Sequence, residues 1–261
     1  MAELRTVHVI RYLTPLREGG SLPAIVEADD GFLYVIKFRG AGQGKKALIA
    51  ELIGGELART LGLRVPELVF MELDDRLGRT EPDEEIQDLL KFSIGLNLGL
   101  HYLSGAVTYD PVVSHAEPLE ASLVTLLDSL ILNIDRTHRN PNLLNWRKEL
   151  WLIDHGASLY FHHAWANWEN YVAKPFPGIR DHVLLAKASR LREAAKLMQG
   201  ALTAEVIEQI LALIPEDWLE LEGWEGSSEE KRAVYQSFLL QRLELMPDLI
   251  QEADHARKKG I

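Results

Sequence analysis

"LNIDRTHRNPNLLNW" (132–146) and "LWLIDHG" (150–156) set three polar groups at the mouths of apolar segments, where a carboxylate is costly to desolvate. Asp135 is followed by Asn140 at D-x-x-x-x-N spacing, and Asp154 opens a D-x-G nineteen residues after Asp135. Upstream, "EPLEASLVTLLDSLILNI" (117–134) has the length and apolar density of a helix running into the first stretch. Between the two, "NLLNWRKELWLI" reads as two short strands joined by a polar R-K-E turn. The pattern predicts a loop and a hairpin that bring Asp135, Asn140 and Asp154 together.

Toward the N-terminus the chain reads as strands interrupted by one helix. "RTVHVIRYL" (5–13), "SLPAIVEA" (21–28), "FLYVIKF" (32–38) and "PELVFMEL" (66–73) are rich in branched apolar residues, and "DDG" (29–31) supplies hairpin turn chemistry. After the break "GAGQG" (40–44), "KKALIAELIGGELARTLGL" (45–63) has helical spacing. Leu48, Leu52, Leu57 and Leu61 mark one apolar side, and Gly62 suits its end. "DDRLGRTEPDEEIQD" (74–88) reads as a loop or the start of a surface helix, and 95–110 as glycine-spaced strand.

The main boundary is expected near Leu103–Gly105, dividing residues 1–104 from 105–261. Helices are predicted over 181–199, over 203–214 behind an N-cap Thr203, and over 227–246 behind a capping box of Ser227 and Glu230. The expected class is α+β, with a β-rich N-terminal lobe and a mostly helical C-terminal lobe.

Composition narrows the function. With 261 residues, 47% hydrophobic and 26% charged, the chain can bury a substantial core. No apolar run reaches the ~18–20 residues of a membrane span, and "MAELRTVHVIRYL" lacks a signal-peptide layout. The expectation is a cytoplasmic protein with no membrane insertion. The absence of cysteine removes disulfides, thiolate metal sites and a thiol nucleophile. A formal charge of −11, with basic clusters only at Lys45–Lys46 and "HARKKG", predicts no nucleic-acid partner.

Phosphoryl transfer from ATP needs a cation on the phosphates, carboxylate and amide oxygens on Mg²⁺, and an acid that orients the attacking hydroxyl. Lys37, alone in the apolar strand "YVIKF", must face water at an edge or meet an anion. Glu51 or Glu56, on the following helix, could be that anion. Gly19, Gly20 and Ser21 could turn backbone N–H groups toward phosphates, or simply close a hairpin. In such a site Asp135 would meet the substrate hydroxyl, while Asn140 and Asp154 would hold the metal. Taken singly, each motif is an ordinary cap or turn; their order and spacing together argue for chemistry.

"GGSLPAIVEADDGFLYVIKF", "AELIGGELARTLGLRVPE", "NIDRTHRNPNLL" and "LWLIDHG" together resemble the HipA-like kinases, bacterial relatives of the phosphoinositide-kinase branch of the protein-kinase-like fold. The resemblance spans roughly residues 17–160 and implies a two-lobed, ATP- and Mg²⁺-dependent phosphotransferase, with Mn²⁺ as an alternative ion. By position it makes Lys37 the ATP-phosphate lysine, Glu51 its helix partner and Asp135 the catalytic aspartate, with Asn140 and Asp154 as metal ligands. "LHYLSG" (100–105), with Tyr102 and Leu103, would be the adenine-contacting hinge. Arg136 gives the D-R form of the lipid-kinase relatives. The implied acceptor is a serine or threonine hydroxyl on a protein, or a small-molecule hydroxyl. The partner and DNA-binding roles of toxin kinases are not carried over, and an antitoxin-like protein partner stays open. The chain is shorter than HipA and is expected to lack its extra N-terminal subdomain. Asn142, which also precedes "LL", competes with Asn140; spacing favours Asn140. His155 stands where many kinases have phenylalanine.

Two other readings compete. His138, Asp154, His155, His162 and His163 could form a Zn²⁺ or Fe²⁺ shell for hydrolysis, although the spacing is poor and His162–His163 on a strand would face opposite ways. A non-catalytic pseudokinase could retain the fold for binding, with Trp218 and Trp224 at a partner surface or anchoring a loop. "FHHAWANWENY" (161–171) reads as an aromatic surface loop after the site, near Lys174 and Arg180.

Overall fold

The computed structural model describes residues 4–16, 22–80, 82–176, 178–221 and 223–259. Five strands close into a barrel in the order β1 (Thr6–Pro15), β2 (Ala24–Ala28), β3 (Leu33–Lys37), β5 (Gly95–His101), β4 (Leu68–Leu73). Each neighbouring pair is antiparallel except β1–β4, which is parallel and shuts the barrel. Period-two alternation turns Ala24, Val26 and Ala28 of β2 inward, with Tyr34 and Ile36 of β3. Val35 and Lys37 therefore lie on the opposite face of β3 from the barrel core. On β5, Gly99 leaves room for Met71, whose sulfur would stand 2.3 Å from an added β-carbon.

α1 (Gly44–Thr60) follows β3, and from Leu48 to Ala58 every residue is buried. The one-sided apolar face expected from the sequence is thus a helix enclosed all round, because later helices cover the side the barrel leaves free. α2 (Glu84–Phe92) answers the acidic stretch, capped by Asp83, whose side chain accepts from the Glu85 and Ile86 amides. The chain leaves the barrel at His101 and enters a second sheet, β6 (Val107–Thr108), β7 (Leu143–Trp146) and β8 (Glu149–Leu152), paired in that order.

α3 (Pro118–Ile131) is buried from Ala121 to Ile131 and ends with Leu132 in the left-handed region at φ 54°. α4 (Leu191–Ala201), α7 (Ser228–Glu244) and α8 (Met246–Lys259) pack around it, while α5 (Ala204–Leu211) and α6 (Glu216–Leu219) lie between α1 and α7. Thr203 caps α5, and the Ser227–Glu230 box caps α7. The helix expected over 181–199 begins only at Leu191. Before it, the chain makes short 3₁₀ turns that bury Val183, Leu184 and Leu185. None of the described helices is long and apolar enough to cross a membrane.

Candidate active site

Lys37 ends β3 beneath α1, and both of its partners reach it from other elements. Its Nζ donates to Glu51 Oε2 at 2.5 Å and to Asp154 Oδ1 at 2.5 Å. Lys37 and Glu51 are buried, whereas the Asp154 side chain is 45% exposed to the cleft. Burial alone would lower the lysine pKa, but the charges of Asp154 and Glu51 outweigh it and raise the value. Burial would likewise raise Glu51; the Lys37 charge and the His155 contacts hold it low instead. Glu56, the competing partner, turns to Arg59 at 3.3 Å, and burial raises its pKa.

Asp154 leaves β8 with φ 58°, a strained conformation of the kind that persists where the surroundings hold it. The next residue, His155, is fully enclosed, and its backbone N–H donates to Glu51 Oε2 at 2.8 Å. Across the hairpin Ile153 N–H bonds the Asn142 carbonyl at 3.1 Å, which sets Asn142 beside the strand that delivers Asp154. Asp135 lies in the loop after α3, and both candidate amides reach its Oδ2. Asn140 Nδ2 is at 2.8 Å and exposed; Asn142 Nδ2 is at 3.2 Å and buried.

Lys37, Asp135, Asn140, Asn142 and Asp154 share one cleft of about 1320 Å³, whose wall also includes Tyr102 and Leu103. Tyr102 N–H bonds the Leu33 carbonyl at 2.8 Å, tying the segment after β5 to β3. Gly19, Gly20 and Ser21 lie outside the described residues. The cleft offers a carboxylate with two carboxamides beside a second carboxylate, all hard oxygen donors that suit Mg²⁺ or Mn²⁺.

The histidines do not form the alternative metal shell. Among the described residues no group of three His, Asp or Glu side chains could hold a metal. His138 is exposed, His155 is buried against α1, and His162 meets Tyr235 at 3.3 Å. Burial pulls the His162 pKa well down. His162 and His163 stand in a 3₁₀ stretch (Tyr160–Tyr171), not on a strand, with ring centroids 4.6 Å apart. That stretch is no free surface loop. Phe161 is buried on Phe238 at 4.2 Å, and Trp165 stacks on Trp224 at 3.8 Å. Lys174 and Arg180 beyond it are exposed.

An acid that no motif indicated, with two tryptophans that the sequence did single out, holds α1 in place. Asp217 of α6 accepts from Lys45 Nζ at 2.8 Å and pairs with Arg39 at 2.6 Å. Trp218 Nε1 donates to the Leu96 carbonyl at 3.1 Å, and Lys46 lies over the Trp224 ring. Both tryptophans are buried and anchor this segment to the barrel and α1. Of the two roles expected for these tryptophans, the structure shows the anchoring one, whereas Asp217 left no signal in the sequence.

The model of the HipA-like kinase family matches residues 9–244. The chain belongs to that family. Membership makes this HipA-like protein a kinase and implies ATP as its phosphoryl donor. Its fold is similar to that of the Helicobacter pylori proinflammatory kinase CtkA, with TM-score 0.56 and 13% identity over 99% of this chain and 98% of the other. It is also similar to the Golgi casein kinase, with TM-score 0.51 and 11% identity over 100% of this chain and 76% of that one. Both likenesses give this HipA-like chain a kinase-type fold. No curated protein sequence matches it.

Proposed function

We propose that this kinase transfers the γ-phosphate of ATP to a serine or threonine hydroxyl of a protein, in a Mg²⁺-dependent reaction between two lobes, residues 1–104 and 105–261. The observation that carries the reading is the single ammonium of Lys37 shared between Glu51 and Asp154, at 2.5 Å each. A lysine kept charged, buried and flanked by two acids at the wall of a large cleft suits an anionic nucleotide.

In this reading Lys37 neutralises phosphate oxygens while Glu51 sets its direction. Asp135 accepts the hydrogen bond of the incoming hydroxyl and orients it, its own carboxylate steadied by the Asn140 amide. Asp154 and Asn142 supply the metal-binding oxygens. The burial of Asn142 and its backbone bond to Ile153 favour it over Asn140, whose side chain is exposed. A bound divalent cation supplies charge neutralisation on the phosphates. Tyr102 and Leu103 would border the adenine. Positioning and charge provide most of the rate, since this transfer asks little covalent work of the protein. A cytoplasmic location agrees with a chemistry that consumes ATP.

ATP with Mg²⁺ is expected to raise the melting temperature, and Asp154→Ala to remove that rise. Labelled phosphate should reach a protein acceptor, and Asp135→Ala should stop transfer while nucleotide binding persists. Stabilisation by ATP with no transfer to any hydroxyl would defeat the proposal.

A further inference from the structure

Asp128 is a carboxylate with no exposure at all inside the apolar helix α3, and three donors converge on it. Arg136 Nε reaches Oδ2 at 2.6 Å, His182 Nε2 reaches the same oxygen at 2.9 Å, and Asn133 Nδ2 reaches Oδ1 at 3.0 Å. The Leu184 backbone N–H donates to His182 Nδ1 at 3.2 Å. That bond leaves the ring proton on Nε2, so His182 acts as a neutral donor to Asp128. A buried ion pair repays its desolvation only with good geometry and further hydrogen bonds.

The other edge of the guanidinium shows the use. Arg136 Nη1 donates to the carbonyl of Asn142 and to that of Ile153 at 3.3 Å. The same Asn142 carbonyl takes the Ile153 N–H. One side chain thus ties the backbone of Asn142 to the residue immediately before Asp154. Both Asn142 (φ 48°) and Asp154 (φ 58°) stand in the left-handed region, a conformation uncommon outside glycine that neighbouring bonds help to hold.

We infer that Arg136, oriented by Asp128 and His182, is a positioning residue that holds the Asn142 and Asp154 backbones in the arrangement their side chains need to share one divalent cation. The inference rests on the metal assignment proposed above. It is separate from the role of Asp135, since Arg136 faces away from the cleft, with 1% exposure. Groups that orient metal-binding side chains typically cost about 10- to 100-fold in metal affinity when altered.

Arg136→Lys keeps a cation beside Asp128 and loses the fork onto the two carbonyls. In metal- and nucleotide-free protein, amide exchange at Ile153 is expected to quicken about 10-fold, while exchange in α7 stays unchanged. In a thermal-shift titration at fixed ADP, the Mg²⁺ midpoint is expected to rise about 10- to 100-fold, with the metal-free ADP shift unaltered. A folded Arg136→Lys protein with wild-type exchange at Ile153 and a wild-type Mg²⁺ midpoint overturns the inference. Equal weakening of metal-free ADP binding and of α7 protection also overturns it, because that describes general loosening. Should Arg136→Lys fail to fold, His182→Phe carries the test, since it leaves the guanidinium in place while removing the histidine bond to Asp128, together with the Leu184 amide and Thr125 hydroxyl contacts at Nδ1; an unchanged Mg²⁺ midpoint in that variant likewise overturns the inference. Absence of any Mg²⁺ effect in the wild type strikes the metal assignment instead, and the exchange rate at Ile153, which needs no metal, then decides the positioning role alone.

Discussion

Gly54 and His155 meet where a β-carbon added to the glycine would stand 2.6 Å from the histidine's own Cβ. α1 therefore lies directly on the residue after Asp154. Two adjacent glycines weaken a helix by about 1 kcal/mol each against alanine, and here they permit close approach on two sides. Gly55 would meet Leu68 Cδ1 at 2.8 Å.

Gly54→Ala should therefore act against helix propensity. At an open helical site the change would stabilise; here overpacking is expected to cost about 1–3 kcal/mol. It should also lower kcat by about 10²-fold, because a shift of ~1 Å in α1 lengthens the Lys37–Glu51 contact. Chemical denaturation and phosphate-transfer rates check both signs. A more stable, fully active variant contradicts the packing argument.

The Lys37–Glu51 pair gives a pH dependence of definite sign. Glu51 has a folded pKa below its ordinary 4.5, so its contribution is present above 4.5 and fades as the pH falls below it. Lys37 has a folded pKa above its ordinary 10.5; its contribution is complete below 10.5 and is lost as the pH rises through the raised value. Glu51→Gln should be less stable than wild type by a constant margin between about pH 6 and 9. That margin should shrink in acid, as followed by urea unfolding at stepped pH.

Asp128 predicts a second acid transition. Burial would raise its pKa, but Arg136 and His182 bring it down to about 2 from an ordinary 3.8. The lowered value stabilises above pH 3.8 and the effect disappears toward pH 2, with a pH-dependent part of about 2 kcal/mol. Asp128→Asn should flatten the wild-type stability curve across that interval.

Arg242, buried in α7, has no carboxylate within ion-pair distance among the described residues and donates instead to carbonyls. It donates to Leu130 at 2.8 Å and Ser129 at 2.6 Å at the end of α3, and to Val172 at 2.6 Å past the aromatic 3₁₀ stretch. Arg242→Ala strips several buried acceptors at once and should cost about 3–5 kcal/mol, near 10 °C in Tm for a chain of this size. A loss below about 1 kcal/mol by calorimetry would show that these bonds do not hold the two segments together.

Much of the fold and the site is legible in the sequence where the cause is local. The strands around Lys37 read through their alternation, the β7–β8 hairpin through its polar turn, and α7 through its capping box. The grouping of Asp135, Asn140 and Asp154 follows from order and spacing, and the pairing of Lys37 with an acid of α1 from the family resemblance. The choice of Glu51 over Glu56 does not, because both lie on one helix and only the barrel's position decides which faces Lys37. Residues 161–171 and 181–190 depart from expectation for a related reason. Their aromatic and apolar side chains suit a loop or a helix equally until α7 and α3 are present to bury them. Asp128 leaves a readable trace, a carboxylate inside "LVTLLDSLIL", which demands a partner. Its partner His182 lies 54 positions away, and the carbonyls under Arg242 up to 113, so no local pattern announces them.

The clasp of Asp217 on Lys45 joins positions 172 apart. A ribosome adding ~5–20 residues per second leaves roughly 10–30 s during which α1 has been made but the segment that seats it has not. Throughout that interval the nascent barrel lacks Trp218 against Leu96 and the two cations of Arg39 and Lys45 lack their acid. The seating of α1, which carries Glu51, is thus completed only late in synthesis.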